Sequence, residues 1–240
     1  MPDLVTEVML PSRGKVYSQE IVWENQLRAP KLKDRGFGDS ASALKIQASV
    51  LDKTLVTPLG MSTYDLHPAD FAYLNWRQRQ LTKGNAPYIF SVACPKCGKR
   101  HRIEFDLSTL PVKEYDESEP LDLTYTTRSG DELTLTFITP RMTDECKTKA
   151  RAFLEENKES KLPFETVRIR ELVKMIIQTV NGKVYTDARA NSYIEELYME
   201  DITEIMNKAS AVPFGLQSRQ EFDCLDQDCG GKIIYYVPIS

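Results

Sequence analysis

Four of the chain's five cysteines stand in two close pairs, and their spacing is that of metal ligands. Cys94-Pro95-Lys96-Cys97-Gly98 is a CxxC turn. Cys224 and Cys229, with four residues between them, run directly into Gly230-Gly231. Two such turns facing each other make the tetrahedral sulfur cage that zinc prefers, with Zn–S bonds of about 2.3 Å. A glycine after a cysteine turn lets the backbone reverse sharply, and N–H groups there donate to the thiolates. The expected ligand set is therefore Cys94, Cys97, Cys224 and Cys229 around one structural Zn2+. Thiolates also hold iron in a rubredoxin-like site, and four unligated cysteines are the plainer alternative. A thioredoxin-like redox pair fits less well, because no βαβ pattern precedes the turn. Four protein ligands leave no open coordination position, so such a metal clamps chain segments together and does not catalyse. Its binding energy, on the order of 10 kcal/mol, is then folding energy.

The remaining chemistry-bearing residues read as structural. Cys146 falls in a helical pattern and reads as a small buried apolar side chain. His101 follows Cys97 at a permitted ligand spacing and is an alternative fourth ligand; a surface histidine on a strand is the blander reading. His67 stands where a helix begins and reads as an entry residue, not a base. There is no GxSxG, HExxH or phosphate-binding glycine loop. The acidic pairs Asp116-Glu117 and Glu195-Glu196 suit solvated surfaces. No enzyme is expected, and no small-molecule substrate.

Positioning two distant cysteine turns requires elements on both sides of a long intervening stretch. The 240 residues, 41% hydrophobic and 28% charged, suffice for one large domain or two small ones. The net charge of -4 argues against a chain whose main task is gripping phosphate backbones. No apolar run approaches the roughly 18 residues of a membrane span, and Met1-Pro2-Asp3-Leu4 does not open like a secretory leader.

Residues 1–84 read as extended segments followed by a helix over "HPADFAYLNWRQRQLTKG". Pro68 and Asp70 suit its first turn, Phe71, Leu74 and Leu81 share a face, and Gly84 terminates it. A looser helical pattern runs from Ser40 to Leu55. Residues 85–142 read as hairpins, one bent around Cys94 and Cys97 and one across Arg128-Ser129-Gly130-Asp131. Residues 143–211 read as a helical insertion whose middle helix, "ETVRIRELVKMIIQTV", ends at Asn181-Gly182. Residues 212–240 hold the second cysteine turn and a closing strand. The fold class is α+β: a zinc-ribbon-like β unit built from N- and C-terminal parts around an inserted helical subdomain. The aromatic-rich stretches "VYSQEIVW" and "IIYYVPIS" are either contact surfaces or core strands.

The order of these signals is more specific than any one of them. "LPSRGKVY" is followed by a helix with Asp70, Leu74, Arg77, Gly84 and Tyr88, then by Cys94-Pro95-Lys96-Cys97-Gly98. "DLSTLPV", a hairpin and a helical segment come next, before Cys224, Cys229 and a short β end. This order resembles the baseplate hub proteins of contractile-tailed bacteriophages of the T-even type. The resemblance implies a non-enzymatic part of the tail baseplate, in hub or wedge, or a factor that helps the hub assemble. Its partners would be other baseplate and tail proteins, its location the virion tail after assembly in the host cytoplasm. The competing reading is a zinc-ribbon nucleic-acid-binding or transcription-associated module, prompted by the basic cluster Lys96, Lys99, Arg100 and Arg102 beside the first turn. A zinc-stabilised enzyme with an unseen site is the third.

Overall fold

The computed structural model describes residues 4–35, 41–84, 86–185 and 187–237, with the backbone alone for 187–191. Ser40, where the first helical pattern was expected to begin, lies outside the described residues, as do Met1–Asp3 and Pro238–Ser240. Twelve strands and six α-helices are described.

The first lobe opens with β1 (Val5–Met9) and β2 (Glu24–Arg28), an antiparallel ribbon. α1 (Ala43–Thr54) follows, its first turn capped by Ser42 accepting from the Lys45 N–H. α2 (Pro68–Lys83) starts with Pro68 in the first turn and stops at Gly84 at φ +59; both are the residues such ends favour. Leu27, Leu51, Leu66 and Leu74 are fully buried between these elements. β3 (Tyr88–Ala93) and β4 (Arg100–Phe105) form the hairpin around the first cysteine turn. β5 (Val112–Lys113) leads out of the lobe.

The second lobe has its own core. β6 (Thr124–Thr126) and β7 (Glu132–Leu135) form the expected hairpin, with Gly130 at φ +90 in its turn. α3 (Pro140–Glu156) begins one turn earlier than Thr143, because Thr139 caps the Met142 N–H and Pro140 occupies the first helical position. α4 (Phe164–Ile176) is shorter than its apolar pattern. The β-branched run after Ile176 leaves the helix as β8 (Ile177–Val180), which pairs with β7 and then with β9 (Lys183–Val184). Asn181 and Gly182, at φ +51 and +71, form the hairpin turn that an Asn-Gly pair favours, not a helix end. α5 (Asp187–Glu196) and α6 (Met199–Ala209) complete the lobe. The expected helical insertion therefore contains two strands, and the β6–β7 hairpin joins their four-stranded sheet. That hairpin was expected beside the cysteines. The correction has a physical cause: Leu133 and Leu135 find their apolar partners in Val173, Ile176 and Ile205, and sheet pairing overrides helical periodicity.

The chain then returns to the first lobe. β10 (Gly215–Leu216) pairs with β5, and Gly215 at φ +99 passes close over Ala69 of α2. β11 (Arg219–Asp223) and β12 (Lys232–Tyr236) form a second hairpin, where only the closing strand was expected. Tyr235 on β12 packs against Phe90, Phe105 and Phe222. This cluster holds the two cysteine-tipped hairpins together. Along β12, Ile233 and Tyr235 are buried while Ile234 and Tyr236 are exposed, so the stretch is half core and half surface. "VYSQEIVW" is irregular, with Ile21 buried and Trp23 packed on the first core.

At the lobe junction, the His67 ring lies 5.0 Å from Phe137 and 4.6 Å from Phe214. Arg141 of α3 grips Asp65 through two bonds of 2.6 and 2.8 Å. Asp144 accepts from the hydroxyls of Ser42 and Tyr64.

Candidate metal centre

Each cysteine pair occupies the tip of a hairpin. At the end of β3, the Cys94 N–H donates to the Lys99 carbonyl, and the Gly98 N–H donates back to the Cys94 carbonyl. Gly98 at φ +72 makes that return possible. At the end of β11, the Cys224 N–H donates to the Gly231 carbonyl, and the Cys229 N–H donates to the Asp226 carbonyl. The tips face each other, and the Lys99 ammonium pairs with the Asp226 carboxylate across the gap.

The four sulfurs converge. Cys94 Sγ lies 3.8 Å from Cys229 Sγ, and Cys97 Sγ lies 3.8 Å from Cys224 Sγ. All four lie within 4.8 Å of one another. A disulfide would require a sulfur separation of about 2.05 Å, and all four cysteines are free. A regular tetrahedron with ligand bonds of about 2.3 Å has edges of about 3.8 Å. Both of these separations match that edge, so the donor set fits a tetrahedral thiolate-bound ion. Cys94, Cys224 and Cys229 are buried and Cys97 is exposed.

Without a cation the clustered thiols differ in charge preference. The backbone N–H of Cys97, aided by that of Lys96, holds the Cys94 thiol down to about 7. Burial pushes Cys224 up to about 12. Four thiols this close cannot all ionise without a cation among them, since like charges disfavour each other's ionised form. A bound metal ion supplies that charge and deprotonates its thiols outright.

Gly231 was not singled out by sequence reasoning beyond its place in a Gly-Gly pair. A Cβ built there would lie 3.0 Å from Cys94 Sγ, 3.0 Å from Lys96 Cβ and 3.1 Å from Cys229 Sγ. The cradle therefore has room for backbone alone at that point. His101 on β4 places Nε2 3.2 Å from Cys224 Sγ. It is a neighbour of one sulfur and lies outside the group of four mutually close ligand atoms. A protonated Nε2 there donates to a thiolate, the outer-shell contact that orients a ligand.

Cys146 is apart from the cluster. It is fully buried on α3 in the second core, and its thiol donates to the Thr143 carbonyl at 3.2 Å. His67 caps α2: Nδ1 accepts from the Ala69 N–H, and Nε2 donates to the Ala211 carbonyl. Burial holds its pKa down to about 4, so the ring is neutral at pH 7. Asp70 has a role its sequence position did not disclose. Fully buried, it accepts from the Ser12 N–H at 3.0 Å and the Tyr17 hydroxyl at 2.7 Å. It thus ties the Leu10-Pro11-Ser12-Arg13-Gly14 turn to α2. Around the first cysteine turn, Lys99 is paired with Asp226 and Arg102 with Glu104 at 3.5 Å. Half of the basic cluster is thereby offset.

No helix among the described residues is long and apolar enough to cross a membrane. No curated protein and no solved structure matches the chain. A family model described as "T4 bacteriophage base plate protein" matches residues 1–235. With the match running through both lobes and both cysteine turns, the chain belongs to the T4 bacteriophage base plate protein family.

Proposed function

We propose that this baseplate protein serves in the hub or wedge, or in hub assembly, as a non-enzymatic part held in shape by one zinc ion. Cys94, Cys97, Cys224 and Cys229 would hold the ion, which would lock the β3–β4 and β11–β12 hairpins tip to tip. The observation that carries this reading is the pair of 3.8 Å sulfur separations bridging turns more than a hundred residues apart in sequence. The whole second lobe is inserted between those turns, so the clamp closes the chain path around it. A small β unit of two hairpins buries little apolar area, and a metal supplies what its core lacks. Function then lies in surfaces offered to other tail proteins, first during assembly in the host cytoplasm and then in the virion tail.

Protein purified without added zinc, analysed for metals, is expected to carry close to one equivalent of zinc. In a phage lacking its own copy, the parent chain should restore infectious particles, and a Cys229→Ser chain should not. Metal-free folded protein with all five thiols reacting freely would refute the clamp. Turnover of a substrate would refute the non-enzymatic role. The nucleic-acid reading predicts tight duplex binding that weakens steeply with salt; the offset charges around the first turn do not favour it.

A further inference from the structure

The molecule is acidic overall, with a net charge of -4, yet one cleft is the reverse. It is an open depression of about 670 Å³ at the lobe junction, between the start of α1 and the outer face of α3. Lys45, Arg141, Lys147, Lys149 and Arg151 line it, against the carboxylates of Asp144 and Glu145. The Asp144 carboxylate is already engaged by the Ser42 and Tyr64 hydroxyls and pairs with Lys147 at 3.8 Å. Arg141 is engaged by Asp65. Lys149 and Arg151 are exposed and have no ion-pair partner among the described residues.

We propose that this cleft docks an acidic, extended peptide segment of another tail protein. The inference rests on the reading of the chain as a part that works through protein contacts, and adds a specific surface to it. Charge complementarity selects the occupant. Lys149 and Arg151 would pair with Asp and Glu side chains, steering the encounter and fixing register. Glu145 then discriminates between two kinds of polyanion. A peptide can bring a backbone N–H or a hydroxyl to that carboxylate. A DNA backbone has no donor to offer and carries a charge at every unit.

The test uses the full zinc-loaded chain and a short fluorescein-labelled peptide alternating Asp and Ser, with an Asn-for-Asp version as control. Fluorescence anisotropy at low salt should report binding of the Asp peptide alone, weakening as salt rises. The double variant Lys149→Glu/Arg151→Glu should lose roughly tenfold or more in affinity. Lys158→Glu/Lys161→Glu, the same charge change at the α3–α4 connection, should bind like the parent. Circular dichroism and metal content on the same samples establish that each variant is folded and zinc-loaded. A folded, zinc-loaded parent that ignores the peptide overturns the cleft assignment and leaves the clamp standing. Equal losses in the two double variants overturn it, as does tighter binding of a duplex oligonucleotide that Lys149→Glu/Arg151→Glu abolishes. Self-association of the parent that the same variant removes would make the cleft an interface between copies, which also overturns it.

Discussion

Replacing Gly231 by Ala tests the metal cradle through a residue that is not itself a ligand. The added methyl would sit 3.0 Å from Cys94 Sγ and 3.1 Å from Cys229 Sγ, sulfurs of two different hairpins. It would also lie 3.0 Å from Lys96 Cβ. Ordinary contacts between such atoms are several tenths of an ångström longer, so either the β12 end of the second hairpin moves out or the sulfurs spread. Overpacking of this kind costs about 1–3 kcal/mol, and with an ion held in the proposed cage the strain would fall on two metal–sulfur bonds. Gly98→Ala is the matched comparison. Gly98 sits at φ +72 with nothing within 4 Å of a built Cβ, so its replacement costs only the left-handed backbone penalty, about 1–2 kcal/mol. Both variants should melt earlier than the parent. Cobalt(II) substituted for zinc reads them apart, since its thiolate charge-transfer and ligand-field bands follow bond lengths and symmetry. The Gly231→Ala bands should shift or weaken and its zinc should be lost to a chelator sooner. Gly98→Ala should keep parental bands. Identical spectra and chelator kinetics in the two variants would refute the claim that Gly231 is excluded by a bound ion's ligands.

Three further outcomes are expected. Cys229→Ser should lose zinc and melt well below the parent, whereas Cys146→Ser, which alters one buried thiol bonded to a helix carbonyl, should keep its zinc and lose about 1 kcal/mol or somewhat more; equal zinc and equal melting would refute the ligand set. His67 is held neutral with a pKa of about 4 against about 6.5 unfolded, so its contribution is complete above about pH 6.5 and is lost as pH falls towards about 4, by about 3 kcal/mol. Asp70, pushed up by burial, acts with the opposite sign, so urea unfolding of the parent is compared with His67→Asn, which keeps an acceptor at the helix start and carries Asp70 unchanged. The stability difference between them should shift against the parent across that window, and a pH-independent difference would refute the buried neutral ring. Asp70→Ala strands the buried Ser12 N–H and the Tyr17 hydroxyl and should destabilise by roughly 1–3 kcal/mol per group; a parental urea midpoint would refute the tie between the Pro11–Gly14 turn and α2.

What the sequence disclosed follows from how local each signal is. The convergence of the two cysteine turns was legible because cysteine spacing and glycine placement are set within a few residues. α2 was legible because Pro68 and Gly84 mark its ends irrespective of what packs around it. The second lobe was not, because its decisive fact is a pairing. Ile176 and Val180 stand four residues apart, which satisfies a helical face, yet Val180 is opposite Leu133 in a sheet. Only the distant β7 strand makes that the better use of the residue. Asn181-Gly182 carried the correct signal for a hairpin turn, and the helical periodicity before it masked the signal. The β6–β7 hairpin was found, but its side of the molecule was not, because alternation shows that a strand has an apolar face and not what covers it. The same limit governs the cradle. Four cysteines at ligand spacing point to a sulfur cluster, whereas the exclusion of every side chain at Gly231 appears only when the two hairpin tips are brought face to face.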